Sequence, residues 1–219
     1  RFTIRVRTQE RTRIGGLTLD AARQRAEAIW QALSKRGVPN FFGPQRFGLR
    51  HDNHMLGMAL IKGDFQDFAR RFLGDADESV DRGEVLRARK YFDAGQYQEA
   101  MNCWPGHLRQ ERQALAAYMR GKQNPKKVLF AVDLKLRQLL ISAAQSHLFN
   151  EVLTRRLKQL DRVMPGDLCE KHDNGAAFTV GPNVEDAMKE QPRVDAHEIS
   201  PTGPLYGYKM TEATSVAGI

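Results

Sequence analysis

"LFAVDLKLRQLLISAAQSHLFNEVLTRRLKQ", residues 129–159, carries the longest apolar periodicity in the chain. Apolar residues that recur at intervals of three and four positions lie on one face of a helix. That face consists of Leu136, Leu140, Ala143, Ala144, Leu148 and Val152. Because the apolar face is long and continuous, we predict a buried core helix, which the "MPGDL" stretch at 164–168 ends.

The segments that precede this helix also have helical patterns. Between residues 63 and 127, amphipathic stretches alternate with Gly, Asp and Pro, which predicts a series of short helices. Further upstream, Thr18 is suited to cap a helix that Gly37 ends. The apolar face of this helix includes Ile29 and Trp30.

Strand patterns lie towards both ends of the chain. Apolar and polar residues alternate in "RFTIRVRTQ" (1–9), which predicts a half-buried strand already under way at the first residue, so we expect further residues upstream. "AAFTV" (176–180) and "VDAHEIS" (194–200) are also predicted strands, with Asn174 and Gly175 in a tight hairpin turn. These patterns together predict an α+β fold, with a mixed sheet flanked by helices.

The bulk composition is that of a globular protein. The 219 residues are 41% hydrophobic and 27% charged, and no stretch has the roughly 20 apolar residues that span a bilayer. Cys103 and Cys169 are far apart and form no paired motif, so neither a disulfide framework nor a zinc site is indicated. We expect no membrane partner and a cytoplasmic location.

The chain has a formal net charge of +8. Excess Lys and Arg attract polyanions, so nucleic acid is the leading partner, although many basic proteins bind no specific anion. The candidates for contact with an RNA backbone are Arg5, Arg7, Arg36 and Arg50. A solvated basic face is the alternative for the first two.

"GVPNFFGPQRFG", residues 37–48, places two adjacent aromatic rings in a loop rich in Gly and Pro. A ring on a tight loop can stack on an unpaired base. The amide of Asn40 offers the donor and acceptor needed to read a base edge. Gly43 allows close backbone approach, while Gln45 and Arg46 can engage phosphate or fix the loop. The alternative is structural: the rings plug the core, and Arg46 pairs with a carboxylate.

The order of residues in this loop strongly resembles the "GVPNYFGxQRFG" signature of the TruD family of tRNA pseudouridine synthases. Phe41 stands where tyrosine is usual. Further blocks similar to the family follow in family order: "LRHDNHMLGMALIKGDF" (49–65), "QLLISAAQSHLFNEVLTRRL" (138–157), "MPGDL" (164–168) and "ISPTGPLYGYKM" (199–210). The resemblance covers nearly the whole chain.

The resemblance implies an enzyme that isomerises a uridine, typically uridine 13 of certain tRNAs, without a cofactor or metal. It implies that Phe42 is the stacking ring and that Asn40 helps to hold the site. It also implies that Phe41 lacks any hydrogen bond that a tyrosine hydroxyl makes there. The substrate-binding residues that we expect are therefore Asn40, Phe42, Gly43, Gln45 and Arg46.

The catalytic group of the family is an aspartate in a "GxKDxxA"-type motif, which comes before the strand at residues 1–9. Residues 1–219 contain no such motif. Asp81 and Asp133 lie near basic residues but lack the family context. We therefore expect no catalytic residue in this chain, an upstream segment that supplies the aspartate, and no activity from residues 1–219 alone. The alternative is a catalytically silent RNA-binding module.

The resemblance also implies a domain organisation. Residues 1–62 and 128–164 correspond to part of the catalytic domain, 63–127 to a helical elaboration, and 165–219 to the start of an inserted domain.

No pattern indicates a metal site, because His51 and His54 are followed by no third ligand. His172 lies beside Asp173 in what reads as a turn, without a nucleophile. The expected partner is tRNA or another structured RNA.

Overall fold

The computed structural model describes residues 13–14, 16–207 and 210. The predicted strand at 1–9, with Arg5 and Arg7, lies outside these residues. In chain order the elements are β1 (Arg13–Ile14), β2 (Leu17–Thr18), α1 (Leu19–Arg36), a 3₁₀ turn (Pro44–Phe47), α2 (Asn53–Lys62), α3 (Phe65–Leu73), α4 (Gly83–Asp93), α5 (Tyr97–Cys103), α6 (Arg109–Arg120), α7 (Pro125–Ala131), α8 (Leu134–Arg156), a second 3₁₀ turn (Leu157–Gln159), β3 (Leu168–Lys171), β4 (Ala177–Thr179), α9 (Val184–Asp195) and β5 (Ile199–Thr202).

The described residues divide into two compact units. One contains the residues up to Asn40 together with Arg155–Pro204, and the other contains Phe41–Thr154 together with Leu205–Met210. The second unit, hereafter the helical unit, is built from α2–α7 and α8 up to Thr154. The first unit, hereafter the sheet unit, carries the described strands. Helices and antiparallel strands in separate parts of the chain confirm the α+β class.

The helical unit has a single core to which nearly all of its helices contribute. Its largest fully buried side chains are those of Phe68, Leu73, Trp104, Leu115 and Leu140. The predicted series of short helices between 63 and 127 is confirmed, and these helices share the core with α2 and α8. The assignment of 1–62, 63–127, 128–164 and 165–219 to the domains of a larger protein remains a prediction.

The predicted core helix is confirmed as α8. Leu140, Ala143 and Ala144 are at most 1% exposed. The helix begins at Leu134 rather than Leu129, because residues 129–131 belong to α7. The carboxylate of Asp133 accepts the backbone N–H of Lys135 at 2.7 Å and so starts a new helix at this point.

The sheet unit contains a three-stranded antiparallel sheet in the order β4-β3-β5. Cys169 on the central strand is fully buried, and burial raises the pKa of its thiol to about 12. The strand predicted in "AAFTV" is confirmed, as is the turn at Asn174 and Gly175. The strands of this sheet pair antiparallel, whereas a mixed sheet was expected.

The strand predicted at 194–200 is wrong in its first half. Val194 and Asp195 end α9, and β5 begins only at Ile199. A capping box starts α9, in which the side chains of Asn183 and Asp186 bond to each other's backbone N–H groups. The helix that begins there therefore includes the first two residues of the predicted strand.

Helix α1 has the predicted ends. The hydroxyl of Thr18 accepts the backbone N–H of Ala21 at 3.3 Å, and Gly37 ends the helix with φ of +78°. No residue of α1 is buried. Ile29 and Trp30, on its predicted apolar face, are 54% and 68% exposed.

Candidate functional site

Four of the five predicted substrate-binding residues line one pocket of the helical unit. Phe42, Gly43, Gln45 and Arg46 form its wall together with Leu139 of α8, and its volume is about 440 Å³. This volume lies within the range of about 300–1,000 Å³ that is typical of ligand pockets. Phe42 and Arg46 are half-buried, whereas Gly43 and Gln45 are exposed.

The backbone of Phe42 is fixed on α8 by one side chain. The backbone N–H of Phe42 donates to Oδ1 of Asn150 at 2.9 Å, and Nδ2 of Asn150 donates to the carbonyl of Phe42 at 3.0 Å. The ring of Phe42 meets the ring of Phe149 edge to face, with centroids 5.4 Å apart. The ring at the pocket is therefore held from both its backbone and its edge.

The guanidinium of Arg46 lies over the ring of Phe42, with 5.5 Å between its central carbon and the ring centroid. A cation over an aromatic face is attracted by the ring quadrupole. This arrangement places a positive charge and a flat aromatic surface in one pocket. Both are groups that a nucleotide binds, one through its phosphate and the other through its base.

The rest of the loop is anchored beyond the pocket. Gly48 has φ of +78°, and a Cβ added there would lie 2.8 Å from the amide of Asn53, so only glycine fits. The ring of Phe47 meets His54 and His147, whose own rings lie 4.2 Å apart between centroids. These contacts give the pocket loop a rigid support on α2 and α8.

The paired histidines have an unusual electrostatic environment. Burial is the main cause that lowers the pKa of His54, and the neighbouring His147 and Arg71 lower it further. Asp52 acts in the opposite direction. His54 is therefore less easily protonated than an ordinary histidine, and its neutral form is favoured.

Of the other predicted site residues, Asn40 and Arg36 belong to the sheet unit. Asn40 is exposed. Arg36 is 44% exposed, donates to the carbonyl of Leu157 at 3.1 Å and pairs with Asp161 at 3.5 Å. Arg5 and Arg7 precede the described residues.

Arg50 was predicted to contact an RNA backbone, but the structure favours a structural role. Its side chain is only 17% exposed. Its guanidinium donates to the carboxylates of Asp81 and Asp52 and to the carbonyl of Asp75. Burial opposes the charge, yet the hydrogen bonds to Asp81 and Asp52 outweigh it and raise the pKa of Arg50. Its donors are thus committed within the protein.

Three residues of the site were not singled out from the sequence: Leu139, Phe149 and Asn150. All three lie on α8, which the periodicity marked only as a core helix. Phe149 and Asn150 are part of the block similar to the family helix, which was the available signal.

Over the part of the chain that the structure describes, no cluster of three potential metal ligands occurs. Nor does any described helix have the length and apolarity to span a bilayer.

Comparison with known proteins identifies the family. The family model described as tRNA pseudouridine synthase D (TruD) matches residues 1–218. The chain belongs to the TruD family. Relatives named tRNA pseudouridine synthase D include one from Geotalea daltonii, 41% identical over 202 residues, and one from Geobacter sulfurreducens, 40% identical over 195 residues.

The shared segment covers different fractions of this TruD chain and of its relatives. With the Geotalea protein, it covers 92% of this chain and 49% of that relative. With the Geobacter protein, it covers 89% of this chain and 46% of that relative. The chain thus spans about half the length of these relatives. A solved structure from Methanosarcina mazei that carries the TruD name matches with a TM-score of 0.76 at 24% identity, over 89% of this chain and 48% of that one. This match supports the fold.

Proposed function

We propose that the protein is a tRNA pseudouridine synthase, which isomerises a uridine of tRNA to pseudouridine, and that residues 41–46 form part of its base pocket. Membership of the TruD family supports the reaction class. The observation that carries the pocket assignment is that Phe42, Gly43, Gln45 and Arg46 line a single cavity. These residues are the ones that the loop sequence marks as suited to bind a base.

In this proposal the ring of Phe42 stacks on an extruded uracil. Stacking on an aromatic ring contributes about 1–3 kcal/mol per base, which offsets part of the cost of removing the base from its helix. The guanidinium of Arg46, which lies over the ring, yields its place to the base and turns to a phosphate. Asn40, whose amide offers both a donor and an acceptor, reads the edge of the base.

The reaction itself needs no external reactant. The bond between C1′ of the ribose and N1 of uracil breaks, and a bond from C1′ to C5 forms. The proton that leaves C5 is balanced by the proton that N1 gains, so substrate and product are isomers. We propose that uridine 13 of tRNA, the typical family target, is the substrate and that no cofactor or metal takes part.

The proposal places the catalytic aspartate outside residues 1–219, because the sequence contains no "GxKDxxA"-type motif. Arg5, Arg7 and Arg36 remain proposed contacts to the RNA backbone. A cytoplasmic location fits a tRNA substrate and the two free cysteines, Cys103 and Cys169.

The test uses the complete product of the gene and tRNA that carries tritium at C5 of uridine. We expect release of tritium to water, and carbodiimide mapping should locate the product at position 13. Binding of tRNA without release would overturn the assignment as an enzyme and favour a silent RNA-binding module. Residues 1–219 alone should bind tRNA without releasing tritium, and release by this segment would contradict the placement of the aspartate.

A further inference from the structure

The turn between α6 and α7 carries a dense group of positive charges. "RGKQNPKK", residues 120–127, contains four cations and no acidic residue. All four cations, Arg120, Lys122, Lys126 and Lys127, are exposed. None of them forms an ion pair with a described residue. The group is therefore free to attract a polyanion.

The backbone of this turn is ordered by hydrogen bonds to the end of α6. The N–H of Gln123 donates to the carbonyl of Tyr118 at 2.9 Å. The N–H of Lys122 donates to the carbonyl of Met119 at 3.3 Å. Lys122 and Gln123 have φ of +52° and +61°. Two consecutive residues other than glycine in the left-handed region strain the backbone. Such strain persists where the surrounding contacts impose it, and it is concentrated at functional sites.

An exposed aromatic ring accompanies the charges. Phe130 on α7 is 70% exposed. It follows Lys126 by four positions and Lys127 by three, so the three side chains share one face of the helix. The ammonium of Lys126 also lies 5.5 Å from the centroid of the Phe65 ring. Cations and a solvent-facing ring thus occur together on a short, ordered element.

We propose that the α6–α7 turn is a second RNA-binding surface, separate from the base pocket, that takes a phosphate backbone and one unpaired base. Lys122, Lys126 and Lys127 contact phosphates, with Arg120 beside them, and Phe130 stacks on the base. RNA offers both phosphates and base faces, which match the lysines and the ring, whereas an acidic protein surface matches only the charges. The choice of RNA as partner rests on the proposed function.

The test measures binding of a tRNA transcript to the full chain by fluorescence anisotropy between 50 and 200 mM salt. In the triple variant Lys122→Gln, Lys126→Gln and Lys127→Gln, the slope of log Kd against log salt concentration should fall by about 2–3. Phe130→Ala should weaken binding by roughly 5- to 160-fold and leave that slope unchanged, because stacking involves no counterion release. The two changes therefore have different signatures.

The matched controls remove the same groups elsewhere. The triple variant Lys62→Gln, Lys158→Gln and Lys189→Gln lowers the net charge from +8 by three, as the test variant does, and should leave the slope nearly unchanged. Trp30→Ala removes a ring of similar exposure, 68%, and should change Kd less than twofold. Circular dichroism on every variant checks that the fold is retained.

Equal slopes in the two triple variants, or an unchanged Kd in Phe130→Ala, would overturn the proposal. If the turn instead contacts protein, the same variants will weaken a protein complex while RNA binding stays intact, which also counts against it. This test does not depend on the reaction. The changes in salt dependence and in Kd can occur in a protein that converts no uridine, and uridine can still be converted when these changes are absent.

Discussion

The side-chain amide of Asn150 and the backbone of Phe42 are joined by two reciprocal hydrogen bonds, of 2.9 Å and 3.0 Å. Both polar groups of the Phe42 backbone are satisfied by one residue of α8. The position of the pocket ring therefore depends on a residue that lies 108 positions away in the chain. This relationship makes Asn150 a positioning residue for the proposed base pocket.

Asn150→Asp should loosen Phe42 with almost no change in shape. The carboxylate still accepts the N–H of Phe42, but it loses the donor and faces the carbonyl of Phe42. Because this hydrogen bond is half-buried, its loss should cost no more than the roughly 1–3 kcal/mol of a fully buried unpaired partner. We expect faster amide hydrogen exchange at Phe42 and lower turnover. Asn102→Asp, at an exposed position of α5, is the control, and equal exchange rates in the two variants would contradict the prediction.

Phe42→Ala should abolish most turnover while the fold remains stable. The ring is half-buried, so we expect a loss of free energy of unfolding well below the roughly 3–5 kcal/mol of a buried phenylalanine. Loss of stacking alone should reduce turnover by at least about fivefold. Tritium release and urea denaturation measure the two effects. In contrast, Ala143→Asp places a charge at a site that is 0% exposed and should unfold the core. Equal unfolding by both changes would make Phe42 structural.

Gly57→Ala should destabilise the crossing of α2 and α8. A Cβ added at Gly57 would lie 2.0 Å from the carbonyl oxygen of Leu140, so one helix backbone must move. Such overpacking typically costs about 1–3 kcal/mol, more than the gain of about 1 kcal/mol in helix propensity. The melting temperature should fall. Gly106→Ala meets no atom within 4 Å and serves as the control, which should melt at the wild-type temperature.

Asp81→Asn should weaken the charge network that holds Arg50. The carboxylate is 3% exposed, contacts Arg50 and lies 3.6 Å from Arg89. Removing one member of a buried ion pair leaves an uncompensated charge and costs about 3–5 kcal/mol. Urea denaturation should show a correspondingly lower midpoint. As the control, Glu78→Gln breaks an exposed ion pair with Lys90 and should leave the urea midpoint unchanged. An unchanged midpoint for Asp81→Asn as well would show that the network is dispensable.

His54 should make stability depend on pH in the mildly acidic range. Its pKa is lowered in the folded protein from the usual value of 6.5, so the unfolded chain binds a proton more readily. Stability should therefore fall as pH decreases below about 6.5, and this loss should level off below the folded pKa. Denaturation curves between pH 5 and 7.5 test this. His54→Gln should flatten the dependence more than His107→Gln, which removes an exposed imidazole, and equal flattening would show that His54 is not responsible.

Local signals in the sequence predicted several elements well. Thr18 and Gly37 bound α1 as predicted because a cap involves residues at most four positions apart. The periodicity of α8 correctly predicted Leu140, Ala143 and Ala144 as buried. The strand prediction at 194–200 was wrong in part because α9, which begins with a capping box at Asn183, continues through Val194 and Asp195. Strand propensity alone could not rank these two local signals.

By itself the sequence determined the family and singled out the loop that we propose binds the base. The order Asn-Phe-Phe-Gly-Pro-Gln-Arg carries this information because it matches the family signature and places rings, a glycine and a cation in one short loop. Only the tertiary structure decided which partners those side chains have. Asn150 meets Phe42, and Arg50 turns inward to Asp81. Contacts between residues so distant in the chain depend on how helices pack, and no local pattern contains that arrangement.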